Sequence, residues 1–150
     1  GEADGPPIQS AGQIADLEAE GRQVGAETVD YIHAHKTGAL IRTSLRVGAR
    51  LCGATPEQVH ALSVAGADLG LAFQIVDDIL DEEGTRADLG KSPGKDRARH
   101  KATYPSLWGL EESRRLARRA VSSARRALGR FGRRGDRLSA LAEFILARDR

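Results

Sequence analysis

The longest helical run in this sequence opens at Thr55-Pro56-Glu57-Gln58 and continues to about Glu83. Its start is marked chemically. Thr55 can accept the first free backbone N–H groups, Pro56 suits the first helical position, and the amide of Gln58 closes the reciprocal cap. At about 1.5 Å per residue the run spans on the order of 40 Å, enough to cross a whole domain. A helix of that length needs neighbours along its flanks, so it is expected to be the central helix of a bundle. Period-two alternation and internal repeats are absent from the sequence, and the fold class predicted is all-α.

The other segments fit that frame. Residues 1–10 are dominated by Gly and Pro and suggest a lead-in loop. A short helix is expected from Ala11 to about Glu20, and a second from about Glu27 past Lys36 to Gly48, with Gly53 closing it. Gly38 lies inside that run, where a glycine costs about 1 kcal/mol against Ala and suggests a kink or the close approach of a ligand. A Gly-, Pro-, Asp- and Lys-rich loop fills 84–103. Helix resumes near Tyr104, breaks at Gly109 and runs to about Arg130, with Leu107, Leu110, Leu116, Ala120, Ala124 and Leu128 as its apolar stripe. A final helix, about Asp136 to Arg148, is expected to bury Leu138, Leu141, Phe144 and Ile145.

With 150 residues there is room for one domain and one core. The single cysteine, Cys52, excludes an internal disulfide and suggests a reducing, cytoplasmic setting. The apolar runs fall short of the ~20 residues of a membrane span, and the N-terminal residues lack the pattern of a signal peptide. Charge is unevenly placed, with acids dominating before residue 91 and arginines after it. Such a chain suits anionic ligands or an acidic partner surface.

The chemistry concentrates in Gln74, Asp77, Asp78 and Asp81. On a helix these positions, i, i+3, i+4 and i+7, share an arc of roughly 100°, while Phe73, Ile75, Val76, Ile79 and Leu80 form a core face. If the helix stops at Gly84, Asp77 to Glu83 face the negative end of its dipole, at some ~0.3–1 kcal/mol each near the terminus. Like charges such as Asp77/Asp81 add roughly 0.2–0.5 kcal/mol per pair. A hard cation, Mg²⁺ for an all-oxygen site, would reverse both penalties; the alternative is a solvated acidic helix end. Lys36-Thr37-Gly38 offers a charge, a hydroxyl and bare backbone for a phosphate, and Lys91, Lys95 and Lys101 sit on a loop suited to a cationic flap. Acids, Mg²⁺ and lysines together can hold a diphosphate. His33 and His35, two apart, fall on different faces and form no metal pair. The arginines of 114–130 lack the aromatic interleaving of a nucleic-acid module, and no nucleic-acid partner is expected.

Taken together, these segments resemble the trans-isoprenyl diphosphate synthases. Phe73-Gln74-Ile75-Val76-Asp77-Asp78-Ile79-Leu80-Asp81 is similar to their second aspartate-rich motif, and His35-Lys36-Thr37-Gly38-Ala39-Leu40 to their KTGAL segment. Leu89-Gly90-Lys91, Gly94-Lys95-Asp96 and Lys101-Ala102-Thr103-Tyr104-Pro105 resemble their lysine loop and the stretch after it, and Gly12-Gln13 with Asp16 their upstream GQxxD segment. Bacterial farnesyl diphosphate synthases (geranyltranstransferases) carry the nearest pattern. The resemblance implies the isoprenoid synthase helical bundle, usually dimeric, and a prenyltransferase that condenses an allylic diphosphate with isopentenyl diphosphate. It implies that Asp77 binds Mg²⁺ bridging to the allylic diphosphate, with Asp78 and Asp81 supporting through water. Lys36 and Lys91 would hold that diphosphate, and Thr37 and Gln74 would lie beside the allylic carbon.

Family members are about twice this length, and residues 1–150 match their C-terminal half. The first aspartate-rich motif and the basic set for isopentenyl diphosphate have no counterpart here. The chain therefore reads as a C-terminal portion of a prenyl synthase, either a fragment or one that acts with a complementary piece, and a homodimer or a complementary N-terminal half is the expected partner. A catalytically silent diphosphate-binding or regulatory subunit is the alternative. A terpene cyclase is a further reading, against which the KTG and LGK segments stand together.

Overall fold

A computed structural model describes residues 37–89 and 103–148, the side chains of 37 and 85–89 excepted. The expected helices before Lys36, and the loop 90–102, lie outside the described residues. Helix α1 spans Thr37–Leu51, α2 Pro56–Leu89, α3 Tyr104–Trp108, α4 Leu110–Leu128 and α5 Asp136–Ala147, with a 3-10 segment at Gly129–Gly135 between the last two. Among the described residues there is no strand, and the all-α class holds.

Helix α2 is the centre of the bundle, packed along α1 on one side and α4 on the other. Its cap is built as the sequence implies: the Thr55 N–H donates to Gln58 Oε1 at 2.9 Å and the Gln58 N–H to Thr55 Oγ1 at 3.4 Å. Gly53, at φ 72°, makes the left-handed turn that separates α1 from α2. The core runs through Leu69, Ile75, Val76 and Ile79 of α2, Val121 and Leu128 of α4 and Ile145 of α5. Each such side chain contributes about 1.5–3 kcal/mol on burial. Buried Ala117, Ala120 and Ala124 keep α4 close to α2. Polar ties reinforce the edges, with Arg114 Nη2 2.6 Å from Glu83 Oε1 and Arg125 Nη1 2.9 Å from Glu143 Oε1.

Glycines set the α1–α2 crossing. A Cβ on Gly70 would come within 2.3 Å of the Gly38 Cα, and one on Gly66 within 2.7 Å of the Arg42 Cα. The bare backbone at Gly38 is thus used for contact with α2; the stretch before Thr37, on which a kink there depends, lies outside the described residues.

Three expectations are corrected. Helix α2 passes through Gly84 to Leu89, because Gly84 does not take the left-handed conformation that ends a helix. The acidic run is then interior to the helix, and the dipole penalty, confined to the last turn, does not apply to it. In α5, Ala142 and Ile145 are the fully buried positions and Leu138 is half-buried, whereas Leu141 and Phe144 are 49% and 62% exposed because they lie farther round the helix. Leu107 is likewise exposed. Finally, Pro56–Gly84 is long and apolar enough to cross a membrane by length and composition, contrary to expectation. Half of that window is buried against the other helices, as in the core helix of a bundle.

Candidate diphosphate and metal site

The acidic ladder lies on α2 where the helix is covered on most sides. Gln74 and Asp78, at 9% and 7% exposure, are buried, while Asp77 is half-buried and Asp81 exposed. Asp77 and Asp78 point some 100° apart around the axis, and each meets a different element. Asp78 Oδ2 accepts the Tyr104 N–H at 3.0 Å. That contact holds the first residue of α3, whose own cap is the reciprocal pair Thr103 and Ser106. Tyr104 is buried beside it, with its ring centroid 4.8 Å from that of Trp108. A carboxylate oxygen spent on a buried backbone donor is a structural bond, worth roughly 1.5–3 kcal/mol for a charged acceptor.

Asp77 faces the other way, toward the end of α5. Arg148 Nη2 lies 3.7 Å from Asp77 Oδ1, an ion pair longer than a hydrogen bond, and its guanidinium carbon sits 5.0 Å from the centroid of the Phe73 ring. An apolar groove of about 470 Å³ opens beside this pair, walled by Ile41, Leu69, Phe73, Leu141 and Phe144. A carboxylate, an aromatic face and a hydrocarbon groove therefore adjoin. Sequence patterning carried no signal for Arg148, which stands in an ordinary Arg-Asp-Arg run 71 positions from Asp77.

The described part of α1 starts at Thr37, and Gly38 is packed on Gly70, one turn of α2 before Gln74. Lys36, Lys91, Lys95 and Lys101, and the Gly12-Gln13…Asp16 segment, lie outside the described residues, as does the side chain of Thr37. The structure thus brings Gln74, Asp77, Asp78 and Asp81 onto one stretch of α2. Among the described residues no three His, Cys, Asp or Glu side chains converge as a metal-binding group. The donor set still fits a hard cation. Asp77 and Asp81 are oxygen donors one turn apart on the less covered arc, and Mg²⁺ commonly takes one or two carboxylates and completes its shell with water and substrate phosphate.

One acid outside the ladder also stands out. Asp68 Oδ2 is buried without a hydrogen-bond partner. Burial pushes this carboxyl above the usual range, partly offset by the Ser123 hydroxyl and the Arg126 charge. Sequence reasoning missed it, since a single Asp on a helix carries no pattern.

The sequence profile of a family described as Polyprenyl synthetase matches residues 9–130. The chain is 45% identical over 140 residues to the dimethylallyltranstransferase of Fischerella ambigua, covering 93% of this chain and 40% of that protein. It is 41% identical over 147 residues to the farnesyl diphosphate synthase of Geobacillus stearothermophilus, covering 98% and 50% respectively. Among solved structures, the decaprenyl diphosphate synthase of Rhodobacter capsulatus superposes with a TM-score of 0.81 at 27% identity, covering 95% of this chain and 57% of that one. The chain spans about half the length of the curated relatives it matches.

Proposed function

The chain belongs to the polyprenyl synthetase family, and from that membership we propose that it supplies one half of a prenyltransferase site, of the farnesyl diphosphate type, that condenses an allylic diphosphate with isopentenyl diphosphate. The observation that carries this reading is the placement of Asp77. It is half-open beside the buried Gln74, Ile75, Val76 and Asp78, one turn from Asp81, and its partner Arg148 lines an apolar groove.

In the reaction the bond from the allylic carbon to oxygen breaks and the diphosphate leaves with the electron pair. The double bond of isopentenyl diphosphate attacks the cation, and a proton is then lost. Asp77 and Asp81 would hold Mg²⁺, which when bound offsets the charge of the leaving diphosphate. Lys36 and Lys91 would grip the same diphosphate. Thr37 and Gln74 would place oxygen dipoles beside the allylic carbon, where positive charge develops. Asp78 acts behind them by anchoring α3 through the Tyr104 N–H. Phe73 and the groove beside it present hydrocarbon to the prenyl tail and exclude water on that side. The described residues form no opposite wall, and a complementary half would supply it.

Calorimetric titration of geranyl diphosphate with and without Mg²⁺ tests the reading. Binding should require Mg²⁺ and weaken at least tenfold in Asp77→Ala, with the helical circular dichroism unchanged. Affinity indifferent to Mg²⁺ and to Asp77→Ala would overturn it.

A further inference from the structure

Between Ser113 and Gly135 the chain carries nine arginines and no acidic residue. A helix face that meets only water ordinarily mixes both signs, because like charges one turn apart disfavour the helix. Helix α4 does the reverse, placing Arg114 before Arg118 and Arg115 before Arg119. Arg114 is paired with Glu83 and Glu111, Arg115 with Glu112 and Arg125 with Glu143. Arg118, Arg119, Arg133, Arg134 and the following Arg137 are exposed and make no ion pair among the described residues.

Two features gather these charges toward one end of the bundle. Helices α2 and α4 run antiparallel, with Arg114 at Glu83 and Arg130 Nη1 donating to the Glu57 carbonyl at 3.3 Å. The C-terminal end of α4 therefore stands beside the start of α2, about 30 Å along that helix from Asp77. The turn that follows is folded tightly: Gly132 takes φ 53°, and a Cβ on Gly135 would come within 2.8 Å of the Leu128 carbonyl oxygen. Arg130, Arg133 and Arg134 are thus held against the end of α4. Residues 36 and 90 join the described part at other places, beside Gly70 and at the far end of α2.

The kind of partner follows from what accompanies the arginines. Among the described residues from 110 to 140 no large apolar side chain is exposed, so the aromatic or aliphatic anchor at the centre of a protein interface is missing. Phe131 is the only aromatic residue of that stretch and is half-buried, so the stacking platform of a single-strand binder is missing too. What remains is a tip rich in guanidinium groups. These bind phosphate oxygens in pairs, and basic clusters of this kind are drawn to a plane of anionic headgroups.

We propose that the end formed by α4, the turn 129–135 and the start of α5 docks on the surface of a bilayer that carries anionic phospholipid, with Arg133, Arg134 and Arg137 against the phosphates. The proposal is independent of the prenyltransferase reading, and such docking leaves the acid ladder, farther along α2, away from the contact.

Sedimentation of the full chain with vesicles tests it. The chain should pellet with phosphatidylcholine vesicles that contain phosphatidylglycerol and not with phosphatidylcholine alone, and binding should fall as salt is raised. Arg133→Glu with Arg134→Glu, at exposed positions with no ion pair to lose, should weaken binding at least tenfold with the circular dichroism and Tm unchanged. Arg42→Glu with Arg50→Glu, the same change of net charge placed on α1, should weaken it clearly less. No binding to the anionic vesicles, equal binding to the neutral ones, or equal losses in the two double variants would each overturn the proposal. Random-sequence DNA that strips the chain from the vesicles at a lower phosphate concentration than the lipid's would place a nucleic acid there instead, and would overturn it as well.

Discussion

Replacing Gly70 by alanine should damage this fold more than its single methyl suggests. The new Cβ would lie 2.3 Å from the Gly38 Cα and 3.1 Å from the Gly38 N, both backbone atoms that no rotamer change can move. Ordinary carbon contacts begin more than 1 Å farther out, so α1 and α2 must separate along their crossing. Overpacking of this kind costs about 1–3 kcal/mol, and a rigid obstacle places it near the upper end. The better helix propensity of alanine returns about 1 kcal/mol. The net loss is about 2 kcal/mol, roughly 4–8 °C in Tm for a domain of this size. Urea unfolding followed by circular dichroism reads it. Gly84→Ala is the control: nothing lies within 4 Å of its Cβ position and the glycine is helical, so that variant should gain up to about 1 kcal/mol. A Gly70→Ala chain as stable as the unsubstituted one would refute the close-packed crossing.

Asp78→Ala should cost about 1.5–3 kcal/mol by stranding the buried Tyr104 N–H, and Asp78→Asn, which keeps an acceptor, clearly less; equal losses in chemical unfolding would contradict the assigned bond. Asp68, whose folded carboxyl is raised by burial, binds protons more readily in the folded than the unfolded state. Its destabilising charge is therefore fully present above the folded pKa and absent below the unfolded value of about 3.9. Asp68→Asn should thus raise stability at pH 7, by about 1 kcal/mol or less given partial solvent screening. The gain should vanish toward pH 3.5, and a pH-independent difference in Tm would rule this out. Thr55→Ala should remove about 1 kcal/mol by opening the cap of α2, and an unchanged midpoint would show that the cap contributes nothing.

Local chemistry made much of this architecture legible. The Thr55-Pro56-Glu57-Gln58 cap, the left-handed Gly53 and the break at Gly109 all operate over three or four residues, and each is found where the pattern puts it. The end of α2 was misplaced because a glycine stops a helix only when its backbone turns left-handed, which the residue type permits without requiring. Burial on α5 was overread for a different reason. Apolar periodicity shows which faces could be buried, and the described residues cover Leu141 and Phe144 only in part. The ladder's spacing was visible. Its contacts were not, because Asp78 bonding to Tyr104 and Asp77 facing Arg148 join positions 26 and 71 apart in sequence.

Formation of prenyl product from isopentenyl and geranyl diphosphate with Mg²⁺, by the chain alone and with the complementary half added, tests the central claim most directly. The account predicts no product from the chain alone and a product from the mixture that disappears in Asp77→Ala. Turnover by the chain alone that Asp77→Ala abolishes would mean that these 150 residues hold a complete site, and would contradict it.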